Sequence, residues 1–504
     1  MDSAKALHYA RLAGERALVC LAPDDALRWF RTALDVVDPA DDATRVGLLV
    51  SMGVAQRQVG DPSYRTTLLD AAALAQRLGD TESLVAAALA NNRGYHSSSG
   101  HIDEERVDVL EAALAAVGPE DSVERALLLG TLCAELPFSA EPARLQALFD
   151  EALAIARRLD DPRTIVEVTS RTRVAVGFPE TAAQRVEIYR ESRRLAEQID
   201  DPALIFHAAQ ALLWASAEIG DREAVDRELA TMDAVAEETG QATLRWLATY
   251  SSAMRAAMDG DHVESERLAT EALVVGSDSG QPDAATFYGG QIVRVREMQG
   301  RLDELLPLLE ILVDENPGLP VFQSVYAHAC ADTGRTEVAQ QLLDETLAKG
   351  YEAPHDMQWS TTIVLWALTA VRVGHRAVAE VLSPMLEPFE SQVAFTGLTD
   401  IGPFAHYLGE LAVLRGDFDA AERHFDVALE LEERTRDPYM TALTHLGRAP
   451  LQLERGGPDE AAGALADIDR AVELANEHGY LLVQCDAQEL SSRVERPGPQ
   501  PAST

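Results

Sequence analysis

His207, Gln210 and Trp214 fall at i, i+3 and i+7, the spacing of a single helix face. An imidazole and an amide there can make directed hydrogen bonds, and the indole offers a flat apolar anchor. Together these are the means of gripping a peptide. Further along, Tyr250, Met254 and Met258 share such a face, followed by Arg294, by Ser324 with His328, and by His406 with Glu410. If the helical register holds, His207, Gln210, Trp214, Tyr250, Arg294, Ser324, His328, His406 and Glu410 line one groove and form a binding surface. The competing expectation is that Trp214, Tyr250 and the methionines pack between neighbouring helices.

Catalytic chemistry finds no such set. The serines of "NNRGYHSSSGH" (91–101) stand near histidines but lack the Gly-x-Ser-x-Gly elbow and the strand it needs. That polar stretch reads as a fraying helix end and a serine-rich turn, or as a ligand-contacting edge. His96 and His101 are five apart with no third ligand placed by the sequence, so no metal site is expected. A phosphate-cradling loop needs Gly-Lys-Ser/Thr, and the two lysines, Lys5 and Lys349, precede Ala6 and Gly350. Arg171 and Arg173 are expected in solvated or intra-repeat ion pairs, with carboxylate or phosphate binding as the alternative. The expectation is a chain with no catalytic residues and no cofactor.

The elements that position these side chains are written in the glycines. Gly60, Gly100, Gly220, Gly260 and Gly300 are separated by multiples of 40, and Gly334, Gly374 and Gly416 continue in steps of 34, 40 and 42. A fixed period of this length marks a helical solenoid. Near positions 140 and 180, "FSAEP" and "GFPE" break helices instead. A second turn is marked by "LDDP" ending at Pro162, "IDDP" at Pro202, "RDP" at Pro438 and "ENPG" at Pro317. There an aspartate caps the next helix and the proline sits in its first turn, where a missing N–H costs nothing. The fold expected is all-α, a right-handed α-solenoid of about twelve helical hairpins. It runs as one continuous superhelix over 1–495, with a cap helix near 481–495 and a disordered tail at 496–504.

The packing inside one hairpin is spelled out in "LGELAVLRGDFDAAERHFDVALEL" (408–431). Gly409 and Ala421 let two helices approach, Gly416 makes the turn, and Phe425 fills the space the small residues leave. With Leu408 and Ala428, these residues match the hallmark positions of the tetratricopeptide repeat, which the segment resembles. Ala13, Gly14, Ala26, Phe30 and Ala33 repeat the register in the first hairpin. Looser matches are Gly300, Leu305, Leu309, Leu312 and Pro317, then Gly334, Ala339 and Leu343. Phrases such as "ALHYARLAGERAL" and "ARRLDDPR" look like the C-terminal repeat arms of actinobacterial signal-transduction ATPases and LuxR-type regulators. The resemblance implies repeats that present a concave groove to a partner.

Composition narrows the partners. The 504 residues are 47% hydrophobic but only 6% aromatic, and 83 acidic residues oppose 43 basic ones for a net charge of −40. A surface that negative repels phosphate backbones and anionic headgroups, so neither nucleic acid nor membrane is expected as a partner. No apolar run approaches the roughly 20 residues that span a bilayer. Cys20, Cys133, Cys330 and Cys485 are far apart and are expected as buried apolar side chains of a cytoplasmic protein. The function expected is a non-enzymatic protein-interaction scaffold or regulatory module that holds a protein segment or peptide. The alternative is a ligand-sensing arm of a signal-transduction or transcription regulator, responding to a small molecule or signalling peptide. The sequence does not specify the oligomeric state.

Overall fold

Alanine- and leucine-rich segments bounded by Gly and Asp-Pro turns form helices throughout. The computed structural model describes residues 3–20, 22–92, 102–137, 141–316, 319–351 and 356–494. The polar stretch at 93–101, residues 138–140, residues 317–318 and the tail after 494 lie outside the described residues. Among those described, 25 α-helices pair into twelve hairpins in chain order, with Leu481–Val494 as a final single helix. The chain is an all-α solenoid of tetratricopeptide-like hairpins, most helices packing on a sequence neighbour.

The punctuation works as the residue types dictate. Gly60, Gly220, Gly260, Gly300, Gly334, Gly374 and Gly416 all have φ between 65° and 80°. At Gly260 the requirement is doubled, because a side chain there would collide with the Tyr480 hydroxyl. Asp161 accepts the Arg163 N–H with Pro162 at the first helical position, and Asp437 accepts the Met440 N–H ahead of Pro438. Within hairpins, small residues admit large ones. A Cβ on Gly14 would lie 2.6 Å from the Phe30 ring, one on Gly53 2.5 Å from Leu68, and one on Gly409 2.6 Å from Phe425.

The described residues fall into two compact units. One comprises 1–176, 191–204 and 278–283; the other comprises 177–190, 205–277 and 284–504. In the first unit, neighbouring repeats are tied by arginines. Arg163 reaches Asp201 at 3.0 Å, Arg158 reaches Asp121 at 2.6 Å, and Arg171 pairs with Glu167 at 3.1 Å while donating to Thr131 Oγ1. Arg173 is buried and donates to the Ser170 carbonyl. Both arginines of that pair therefore serve intra-unit packing.

Two features depart from the sequence reading. Between the helices Arg376–Leu386 and Phe404–Arg415 the chain forms an antiparallel hairpin of β1 (Val393–Phe395) and β2 (Asp400–Pro403). Pro388 follows the end of the preceding helix, the Val-Ala-Phe run favours extended chain, and Gly397 turns at φ 80°. Second, Cys133 and Cys330 are buried as expected, but Cys20 and Cys485 are exposed. Both exposed cysteines lie on helix or turn surfaces near the ends of the array, where fewer neighbouring helices cover a side chain.

Candidate functional site

The side chains singled out in the sequence converge on the second unit, and all are buried there except Glu410, which is mostly buried. They divide into an aromatic group and a charged group.

The aromatic group lies on the first helices of three successive hairpins, Pro202–Glu218, Ala242–Met258 and Ala284–Met298. Gln210 Nε2 donates to the Tyr250 hydroxyl at 2.8 Å, and Tyr250 meets Phe287 edge-on with ring centres 5.1 Å apart. Trp214 turns its ring toward Phe395 of β1, 6.5 Å between centres and 73° between planes. The hairpin turn packs on the same indole, so that a Cβ on Gly397 would lie 2.7 Å from Trp214. Gln291 donates its amide to the carbonyls of Tyr250 at 2.7 Å and Leu398 at 3.1 Å. At the foot of the hairpin, Gln392 Nε2 donates to the Pro179 carbonyl at 3.0 Å. The β1–β2 hairpin therefore lies against the first helices, held by side-chain-to-main-chain hydrogen bonds and an aromatic contact. His207 is beside Phe206 on this same helix, ring centres 5.4 Å apart.

The charged group begins at Arg294. Its guanidinium pairs with Glu297 at 2.8 Å, covers the Tyr439 ring at 4.7 Å and reaches Met440 Sδ at 3.2 Å. Glu297 Oε1 lies 3.1 Å from His328 Nε2, which is 3.9 Å from Asp332 Oδ2. Asp332 in turn accepts Arg372 at 2.7 Å, and Arg372 continues to Asp486 at 2.7 Å. Burial alone would raise the Glu297 pKa, but the Arg294 charge and the His328 hydrogen bond bring it down to about 2. Burial opposes charge on His328, yet Asp332 and Glu297 hold its pKa above the ordinary value.

A second buried run starts at His406. Its Nδ1 is 2.8 Å from Thr444 Oγ1, which donates to Glu432 Oε1 at 2.5 Å, while its Nε2 faces Glu410 at 3.7 Å. Burial, reinforced by Arg294, pushes His406 down to about 3, so it is a neutral hydrogen-bonding group. Burial pushes Glu410 up to about 7 against the pull of Arg372, and Glu432 up to about 8 against its Thr444 hydrogen bond. Ser324 joins neither run; its hydroxyl donates to the Val321 carbonyl of its own helix.

The residues missing from the sequence reading are Gln291, Glu297, Asp332, Arg372, Glu432, Thr444 and the hairpin itself. Glu297 and Asp332 were within reach, since they stand three after Arg294 and four after His328. Glu297 Oε1, His328 Nε2 and Asp332 Oδ2 lie within 4.8 Å of one another and have donor types suited to a metal ion.

No protein-family model matches this chain, and no curated protein matches it. Among solved structures it is similar to a chain of the APC/C hetero-tetramer Cut9-Hcn1, at 13% identity over 97% of this chain and 96% of that one, with a TM-score of 0.45. It is also similar to yeast Tom70, at 12% identity over 90% and 97% of the two chains, with a TM-score of 0.35. A circular tandem repeat protein with novel repeat topology matches at 14% identity over 97% and 94%, with a TM-score of 0.15. The helical-repeat description rests on the hairpins of this chain itself.

Proposed function

We propose that this chain is a non-enzymatic, cytoplasmic protein-interaction scaffold that binds an extended protein segment or peptide across the first helices of its second unit, where the β1–β2 hairpin now lies. The observation that carries the reading is the Gln291 amide donating to the Leu398 carbonyl. A repeat side chain there recognises main chain rather than a particular side chain, and Trp214 adds a flat surface for an aromatic residue such as Phe395. The face already holds one segment, its own β1–β2 hairpin. A partner competes with that segment, so its apparent affinity falls by the fraction of molecules whose hairpin is displaced.

The second reading is a ligand-sensing arm of a signal-transduction or transcription regulator, as the resemblance to actinobacterial regulator arms implies. Glu410 and Glu432 favour it, because buried carboxyls with pKa values about 7 and about 8 change charge readily when a charged ligand binds nearby.

The two readings separate in one experiment. Residues 393–402 are replaced by a Gly/Ser linker, and wild type and variant are used side by side for affinity capture from native lysate. The scaffold reading expects a protein captured several-fold better by the variant and released by an excess of peptide 391–403. Equal capture by both chains, indifferent to the peptide, sinks it and turns the search to small ligands.

A further inference from the structure

We propose that Glu297, His328 and Asp332 form a binding site for one divalent transition-metal ion of the zinc class. The donors come from two adjacent repeats: Glu297 from the helix Ala284–Met298, and His328 and Asp332, one turn apart, from the helix Pro320–Asp332. His328 Nε2 is 3.1 Å from Glu297 Oε1 and 3.9 Å from Asp332 Oδ2, and the three donor atoms fit within 4.8 Å. Ligands held about 2.1 Å from a common zinc ion stand roughly 3–3.5 Å apart, so small side-chain rotations close the set.

Three further observations point the same way. Each carboxylate is oriented by an arginine on its other oxygen, Glu297 Oε2 by Arg294 at 2.8 Å and Asp332 Oδ1 by Arg372 at 2.7 Å. Such partners fix ligand direction in metal sites. Asp332 Oδ2 is buried without a hydrogen-bond partner, so it has a lone pair to offer. Finally, the ion pairs around the site leave one carboxylate over: Glu297, Asp332 and Asp486 share two guanidiniums, Arg294 and Arg372. With His328 neutral, as a ligating imidazole is, a divalent ion supplies the positive charge these buried carboxylates lack. The ion would staple one repeat to the next, and the site is separate from the hairpin contacts, so its test is independent of the function proposed above.

The full chain, stripped of metal by chelation and dialysis, is titrated with Co2+ at neutral pH and followed by visible d–d absorption. The expected result is a band that saturates at one equivalent and is abolished by Zn2+. His328→Gln should lose it, and Asp332→Asn should weaken binding by about tenfold or more, since even outer-shell changes cost that much. Melting curves establish that each variant is folded; should His328→Gln not fold, Asp332→Asn decides. Absence of a saturable band in the wild type overturns the proposal. So does binding that survives in the folded variants, which would belong to partly buried pairs such as His424–Glu390 or His445–Asp467.

Discussion

The Gln291 side-chain amide donates to the Leu398 carbonyl at 3.1 Å, joining positions 107 residues apart in sequence. The same nitrogen donates to the Tyr250 carbonyl at 2.7 Å, so one amide ties two repeats and the β-hairpin together. This contact sets what the second unit does with its first-helix face: it spends that face on a segment of its own chain.

Gly397→Val is expected to loosen the hairpin. The residue has φ 80°, and any Cβ meets the Trp214 ring. Strain and overpacking together cost about 1–3 kcal/mol. Hydrogen exchange should accelerate over 393–403 while the repeats on either side stay protected; unchanged exchange in the hairpin would refute the contact.

Phe425→Ala should destabilise by about 3–5 kcal/mol, because a fully buried ring is replaced by a cavity. Gly409→Ala, which pushes a methyl into the same ring, should cost about 1–3 kcal/mol. Denaturant unfolding of each variant checks both, and a Gly409→Ala as stable as wild type would contradict the tight hairpin packing.

Arg294→Met leaves Glu297 buried with half its pairing gone and should cost about 3–5 kcal/mol. Converting Glu297→Gln in the same chain should recover part of the loss, since no uncompensated charge remains. A double variant no better than the single would show that the pair is not coupled.

The carboxyl of Glu432 gives a pH signature with a definite sign. Burial raises its folded pKa to about 8 from an ordinary value of 4.5, against the Thr444 hydrogen bond and with Asp437 and Asp400 adding to the rise. The folded state therefore holds a proton the unfolded state has released, and stability falls as pH rises from about 4.5 to about 8. Glu432→Gln, which keeps the shape and removes the titration, should gain a few kcal/mol relative to wild type at pH 8 and little at pH 4.5. Parallel stability profiles for the two proteins would refute this.

The hairpins were legible because glycine and Asp-Pro must sit where the backbone turns, and their spacing of about 40 residues recurs along the chain. The face was legible in part: Gln210 and Tyr250, read from helical spacing, do meet, and they stand one repeat apart. So do Arg372 and Asp332. Pairing by repeat length would have found both, whereas helical spacing within one element could not. Among 83 acidic residues, nothing local distinguishes Glu297 or Glu432 from a solvated carboxylate. The β-hairpin was hidden for a different reason. The 42-residue step from Gly374 to Gly416 looks like an ordinary repeat, yet its second helix stops at Leu386 and the remainder turns back as strand.

The central claim, that the first-helix face of the second unit binds extended chain, is tested most directly by giving its own segment back in trans. A fluorescently labelled peptide 391–403 is titrated into the variant whose residues 393–402 are a Gly/Ser linker, and anisotropy is read. The account predicts saturable binding that unlabelled peptide competes away, that folded Gln291→Ala and Trp214→Ala versions lose, and that wild type with its hairpin in place shows weakly. A folded linker variant that leaves the anisotropy flat at saturating concentrations would contradict it.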